Sequence, residues 1–467
     1  MQIPIINGIY TNEDGDFRTS YPRNLVPVSQ SNGISKGYLR PADGIASNGV
    51  GAGIDRGGIN WDGICYRVLG TELVSISSTG DITVLGNVGG TTLVSFDYSF
   101  DYLAIASNGN LFYWDKATLQ QVTDNDLGLV LDVQFVDGYF MTTDGENLIV
   151  TDISDPVSVN PLKYGSSEID PDPVKSIKKV RNEIHAINRY TIEVFDNIGG
   201  SNFPFQRIEG AQITRGSVGT HANCVFDTKM LAFLGGGRNE PVSIFLGGAG
   251  QTSKISTREI DQILQGYTEL ELSLVKLEQR IDKNHKLLYA HLPDRTLVYD
   301  AKGSQDVGEM VWFTLTSGIG ELGQYRAKNL VWCYDQWLVG DPTTGNIGYL
   351  TESISSHWDE LITWQFGTSI AYNESNSVIF HELELVALTG RVALGKDPMI
   401  STQYSVDGET WSQERSIKSG KQGDRSKRLV WLSQGSMRNF RTQRFCGTSD
   451  SHLTFARLEI RLEAMAF

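Results

Sequence analysis

Between residues 60 and 352 the chain keeps returning to one short phrase, an apolar run that closes on aspartate just before a turn. It occurs at Tyr113-Trp114-Asp115, Val150-Thr151-Asp152, Val194-Phe195-Asp196, Val298-Tyr299-Asp300 and Val339-Gly340-Asp341. The aspartates stand 37, 44, 104 and 41 residues apart. The long step fits two units, with Ile244-Phe245-Leu246-Gly247 as a degenerate middle, and Thr83-Val84-Leu85-Gly86 marks an earlier strand. That gives about seven units with a period near 40–50 residues, the spacing of four-stranded propeller blades. An aspartate at the end of such a strand suits a turn, because its carboxylate accepts hydrogen bonds from nearby backbone N–H groups. Two stacked sandwiches would space their strands in a similar way and stay open as the alternative.

Within the units, alternating runs are broken by hairpin turns. Leu131, Val133 and Phe135 alternate before Asp137-Gly138, and Leu330, Trp332 and Tyr334 alternate before Asp335-Gln336. Residues 1–58 are rich in Gly, Asn, Ser and Pro with little periodicity, and read as an irregular N-terminal arm. In residues 356–467 the glycine punctuation stops and longer alternating strands appear, notably 378–385 and 453–462, so each has one buried and one wet face. The expected fold is therefore all-β: an N-terminal arm (1–58), a six- to seven-bladed β-propeller (59–355) and a C-terminal β-sandwich-like domain (356–467). One helix interrupts the strands. Ser256-Thr257-Arg258-Glu259 has the form of a capping box, followed by Ile260, Ile263, Leu264 and Tyr267 on one face.

Few segments suggest chemistry. Ser405-Val406-Asp407-Gly408-Glu409-Thr410-Trp411 resembles the Asp-box hairpin of sialidases, a structural turn with the Trp expected beneath it. Gly247-Gly248-Ala249-Gly250-Gln251-Thr252-Ser253-Lys254 lacks the glycine before lysine that a phosphate loop requires, and reads as a glycine turn entering the helix. Gly235-Gly236-Gly237 reads as a loop. His285 and His291 share a strand face without an evident third ligand. The four cysteines, Cys65, Cys224, Cys333 and Cys446, are too far apart for a metal ribbon or redox pair and read as free thiols. Trp61, Trp114, Trp332 and Trp337 read as strand residues. No nucleophile elbow or acid pair is recognisable, so the expectation is no enzyme and no cofactor. No basic leader and no apolar run of about 20 residues is present, and a soluble chain without membrane insertion is expected.

Charge excludes one class and singles out one region. A net charge of −15 disfavours a general DNA binder, which would neutralise phosphates with a basic surface. Against that background, residues 412–444 carry nine basic side chains and two acidic ones. The nine are Arg415, Lys418, Lys421, Arg425, Lys427, Arg428, Arg438, Arg441 and Arg444, a candidate contact for another subunit or an acidic partner.

Several segments resemble the packaged-DNA stabilization, or tail nozzle (hub), proteins of short-tailed bacteriophages. They are Gly37-Tyr38-Leu39-Arg40 with Gly44-Ile45, Tyr66-Arg67-Val68, Ile192-Glu193-Val194-Phe195, and a dense series from Val242-Ser243-Ile244 through Gly250-Gln251, Ile260, Ile263 and Tyr267-Thr268. His291-Leu292-Pro293, Leu297-Val298-Tyr299-Asp300 and Ser304-Gln305 continue it. The resemblance is collinear over most of residues 20–315 and thinner beyond. It implies a homo-hexameric ring in the virion tail, assembled in the host cytoplasm below the portal and its adaptor (portal-extension) ring. Such a ring would close the DNA exit channel, retain packaged DNA and hold the tail needle or plug and the tailspikes. Double-stranded DNA would pass through it without sequence-specific binding. The alternative reading is a glycan-binding or glycan-hydrolysing propeller of a tail or cell surface.

Overall fold

In a computed structural model, 1–467 are described apart from residues 1, 4, 7, 12–16, 31–33, 154, 375 and 466–467. Parts of the N-terminal stretch examined for a leader thus lie outside the described residues. Helices are short and few, and the described residues form seven consecutive antiparallel sheets of four or five strands, two further sheets, and a two-stranded hairpin of Gly8–Thr11 and Phe17–Ser20. The seven are blades of a β-propeller. Their first strands are Asp55–Trp61, Ser95–Tyr98, Asp132–Val136, Val174–Val180, Asn223–Phe226, Lys276–Asp282 and Lys328–Cys333. Each lies beside the first strand of the next blade, and the seventh lies beside the first, so these strands ring the axis.

Apolar layers fill the space between blades. Tyr66, Val68 and Leu73 of blade 1 meet Leu103, Ile105 and Phe112 of blade 2. Six further layers repeat the arrangement around the ring, and in the last Cys65, Leu69 and Ile76 of blade 1 meet Val331, Leu338 and Ile347 of blade 7. Because each blade is covered on both faces, inner strands such as Leu103–Ser107 are buried at every position. This is why the blade strands read as short apolar runs, whereas the half-wet strand Val378–Leu388 alternates.

Blade 7 takes only three strands from its own stretch of chain, and its outer strand is Gly44–Val50, antiparallel to Asn346–Thr351. The N-terminal segment, expected to be irregular, is thus a set of strands shared between both parts of the molecule. Upstream of Gly44, Leu25–Ser29 pairs with Gly37–Pro41, which abuts Thr454–Ala464 through Leu39 and Phe455. Its periodicity is hard to see because the strands are short, are broken by turns and serve two different sheets.

The C-terminal β-sandwich sets the sheet of Leu25–Ser29, Gly37–Pro41, Thr454–Ala464, Val378–Leu388 and Leu429–Leu432 against one of Thr363–Gly367, Phe440–Thr448, Met399–Ser405 and Arg415–Lys418. Trp364, Phe366, Phe445 and Phe455 interlock between them, with Leu25 and Leu39 from the N-terminal strands.

Local corrections follow from hydrogen bonding. The helix α1, Arg258–Gln265, is capped by Thr257, whose side chain accepts from Ile260 N, one residue later than expected. Ser256 instead donates to Asp261 at 2.6 Å, and Glu259 accepts from Thr19 N at 3.2 Å. A true capping box occurs downstream, at Thr268 and Glu271 of α2, Glu269–Ser273. The glycine-rich segment does not enter a helix: Ala249 and Gly250, with φ of +50° and +77°, form the hairpin turn between Ser243–Gly248 and Gln251–Lys254. Gly235 and Gly236 end the strand Met230–Gly236 rather than a loop, and a Cβ at Gly235 would collide with the Gly216 carbonyl. Asp115 and Asp300 follow third strands and cap turns as expected, but Asp341 follows the second strand of blade 7, and 83–86 belong to a fourth strand. The repeat was therefore read slightly out of phase at both ends. Trp61, Trp114, Trp332 and Trp337 all lie in strands.

Removing residues 1–52 leaves Asn346–Thr351 as a bare edge, which is prone to pair with other chains. The truncated protein is expected to melt more than about 5 °C lower and to scatter light before unfolding. Calorimetry with light scattering checks both.

Candidate functional site

The axis-facing strands cannot pair with one another as a sheet does, so their exposed backbone donors need side-chain partners. The structure supplies them from blade to blade. Asp97 accepts from Phe135 N at 2.6 Å. Asp132 and Gln134 accept from Ile177 N and Lys179 N at 3.2 and 3.1 Å. Glu278 accepts from Asn329 N and Leu330 N at 2.9 and 3.0 Å. Where blade 7 meets blade 1, the buried Asp55 accepts from Arg67 at 3.0 Å and from Asn329 Nδ2 at 2.5 Å, while Arg67 also donates to the Asn329 carbonyl at 2.8 Å. Burial alone would raise the Glu278 carboxyl, but Lys276 at 2.7 Å and the neighbouring His291 hold it well below the usual range.

The nine basic residues of 412–444 do not form one surface. Arg441 is 1% exposed, its guanidinium 4.2 Å from the Phe380 ring centroid and 3.7 Å from that of Tyr404. Burial pushes it down to about 9. Arg444 stacks on Trp411 at 4.2 Å and donates to Gln403, so Trp411 covers an arginine beside the Asp-box turn. Asp407 itself accepts from Glu409 N and Thr410 N at 3.0 and 2.8 Å, as such a turn requires. Arg415 donates to the Ser433 carbonyl at 2.6 Å, Lys418 lies 3.1 Å from Asp397, and Arg428 pairs with Glu382 and Glu384 at 3.1 and 2.5 Å. Lys421, Arg425, Lys427 and Arg438 are exposed, with no side-chain partner among the described residues. Strand alternation could have separated Arg441 from these, since Phe440–Thr448 continues through it.

His285 and His291 are separately engaged, His285 with Asp300 at 2.6 Å and His291 with Thr296 at 3.0 Å. No group of three or more metal-ligating side chains occurs among the described residues. All four cysteines are free, and burial pushes Cys65 up to about 11. Sequence reasoning missed His357, at the junction of the two domains. Ser317 Oγ accepts from Arg326 N at 3.0 Å and sits 2.8 Å from His357 Nδ1, so the hydroxyl donates to a neutral imidazole. Burial, helped by the Arg326 guanidinium, pushes that imidazole down to about 3.

Comparison with known proteins matches this architecture domain by domain. The family model described as "Bacteriophage P22 Gp10, beta-propeller" covers residues 1–355, and its companion, "Bacteriophage P22 Gp10, beta-sandwich", covers residues 363–463. The chain therefore belongs to the bacteriophage P22 Gp10 family, an all-β propeller joined to a sandwich. Among curated proteins it is similar to the tail hub protein gp10 of Salmonella phage P22, with 27% identity over an alignment of 485 positions and 99% of each chain covered. Among solved structures, the WD40 domain of Neurospora crassa Pan2 aligns with a TM-score of 0.43 and 8% identity, over 66% of this chain and 95% of that one. The N-terminal domain of Nup159 aligns at 0.42 and 9%, over 71% and 98%. At these scores neither adds to the assignment.

Two tests follow. A histidine held neutral in the fold below its ordinary 6.5 makes the unfolded chain take up protons first, so its stability is full above about pH 6.5 and is lost as pH falls toward 3. Urea unfolding at about pH 7 and about pH 4.5 is expected to show this loss, and His357→Gln to flatten it. Arg441→Ala is expected to cost about 2–4 kcal/mol, since two ring contacts and buried acceptors lose their partner. Charge reversal of Lys421, Arg425, Lys427 and Arg438 together is expected to change stability by less than about 0.5 kcal/mol per site, measured in the same assay.

Proposed function

We propose that this chain is a tail hub protein of a short-tailed bacteriophage, a structural virion component rather than an enzyme. The observation that carries the reading is the end-to-end match of both domains to the P22 Gp10 family, together with a relative named as a tail hub protein over 99% of its length. In this reading, copies of the chain form a hexameric ring below the portal and adaptor ring, close the DNA exit and give attachment to the tail needle and tailspikes. A ring multiplies individually weak contacts, so modest interfaces can hold against internal DNA pressure.

The propeller's own axis does not serve as the DNA path, because the cavity at one of its mouths has a volume of only ≈ 520 Å³ and polar side chains link its strands from blade to blade. The path lies between subunits, where the acidic balance of the chain (net charge −15) lets duplex slide without adhering. Lys421, Arg425, Lys427 and Arg438 are the members of the basic stretch free to meet an acidic neighbour, which makes them the docking surface for a subunit or tail partner.

Negative-stain imaging and mass measurement of the purified protein, with and without its tail adaptor, test the proposal. A closed ring on the adaptor is expected, and the four-residue charge reversal is expected to weaken docking while leaving the fold intact. A persistent monomer that never joins the adaptor, or turnover of a glycan, would overturn the reading.

A further inference from the structure

Where the first strands begin, their leading residues and the loops that feed them surround a cavity of ≈ 520 Å³ at one mouth of the propeller axis. Its wall includes Arg56, Leu93, Val130, His221 and Lys328, drawn from five of the seven blades or the loops leading into them. The charges around it do not cancel. Asp55 is neutralised by Arg67 at 3.0 Å, Asp132 by Lys178 at 2.6 Å, and Glu278 by Lys276 at 2.7 Å. Two cations are left over. Arg56 donates to the carbonyls of Thr92, Gly70 and Gly89 at 2.5, 2.8 and 2.6 Å, and to Ser107 Oγ at 2.8 Å. Lys328 is only 9% exposed and makes no ion pair or side-chain hydrogen bond among the described residues.

An ammonium largely shielded from water beside other cations, reaching the cavity with no paired counter-ion, favours an anion that comes to it. Burial and the neighbouring Lys276 depress Lys328 to about 8, against the opposing pull of Glu278 and Asp55. His221, on the same wall, is likewise held well below its ordinary value by burial and by Lys276, Lys178 and Lys328. An arriving negative charge would relieve both groups at once. The apolar part of the wall, Leu93 and Val130, could cover the carbon body of a ligand whose charged end lies deeper.

We propose that the axial mouth is a binding site for a small molecule bearing an oxyanion, a phosphate or a carboxylate, seated against Lys328 and His221 with its apolar body on Leu93 and Val130. The site is independent of the hub role, so failure of either leaves the other standing. It also explains why a lysine that takes no part in the blade-to-blade bonds is buried there.

Calorimetric titration of the full chain tests this with three probes: sulfate, phenyl phosphate and benzoate. Phenyl phosphate is expected to bind more tightly than sulfate, and a comparison with benzoate identifies which oxyanion is preferred. Lys328→Gln is expected to weaken every probe by at least about tenfold, the loss of one charge-assisted contact, while Lys328→Arg keeps binding. Without ligand, Lys328→Gln is expected to melt no lower than the parent, whereas a purely structural lysine would lower the melting temperature. Sulfate does not titrate in this range, so its affinity for the parent should fall as pH rises through about 8 and Lys328 loses its proton. The charges facing that lysine are Lys276, Glu278, Asp55, His221 and His291. Absence of heat with all three probes would overturn the proposal, as would equal affinities for parent and Lys328→Gln. Should that variant fail to fold, His221→Gln and the pH dependence of the parent decide, and unchanged sulfate affinity in both overturns it.

Discussion

Each blade of the propeller supplies half of two apolar layers, and no blade has a core of its own. Leu103, Ile105 and Phe112 of blade 2 pack against blade 1, while Leu111 and Tyr113 of the same blade pack against blade 3. Such an arrangement is stable only when the ring closes, because an open ring would leave two full apolar faces in water. Closure is made twice over. The strand Gly44–Val50 completes blade 7 from outside, and the Asp55–Arg67–Asn329 group ties blade 7 to blade 1 near the axis. The bonds from Asp55 and Arg67 of blade 1 to Asn329 of blade 7 bring directionality to a place where hydrophobic contact alone would allow the two blades to slide. The Asp55–Arg67 pair within blade 1 gives weak net stability of its own but holds both side chains in place to bond Asn329.

The same N-terminal segment that closes the propeller also builds the sandwich. Leu25 and Leu39 sit in the sandwich core, and Ile45, a few residues on, sits in the layer between blades 6 and 7. Arg23 adds a third tie, bonding through its backbone to Gln365 and through its guanidinium to the Glu321 carbonyl. The two domains are therefore joined by two crossings of the chain and by the Arg23 bonds, with His357 and Ser317 at their boundary. For a protein proposed to hold against internal DNA pressure, several ties spread load better than a single linker.

Sequence alone revealed the class of fold because the driving pattern is local: short apolar strands, tight turns and an aspartate to satisfy the turn. Blade phase was less legible, since Asp341 and Asp300 look alike in sequence yet follow different strands. The closing strand could not be read at all, as Gly44–Val50 owes its conformation to a partner about 300 residues away and not to its own composition. For the basic stretch, charge count marked the region but not the members. Arg441 is interior because its neighbours on the strand are, and Lys328 drew no attention because one lysine in a strand is ordinary until its surroundings are known. The family assignment rested on an ordered series of small matches, and the domain-by-domain comparison extends it over the sandwich, where the sequence resemblance was thin.

The pairing of Leu39 with Phe455 also sets a timetable. A ribosome adding about 5–20 residues per second would need roughly 20–90 s between the first residues and the last strand of this chain. Throughout that interval the N-terminal strands of the sandwich have emerged but lack their final partner, while Gly44–Val50 finds its own once Asn346–Thr351 appears. The blades can stack as they are made, but the sandwich waits for Thr454–Ala464. A chain truncated before Thr454 therefore lacks the completed sandwich.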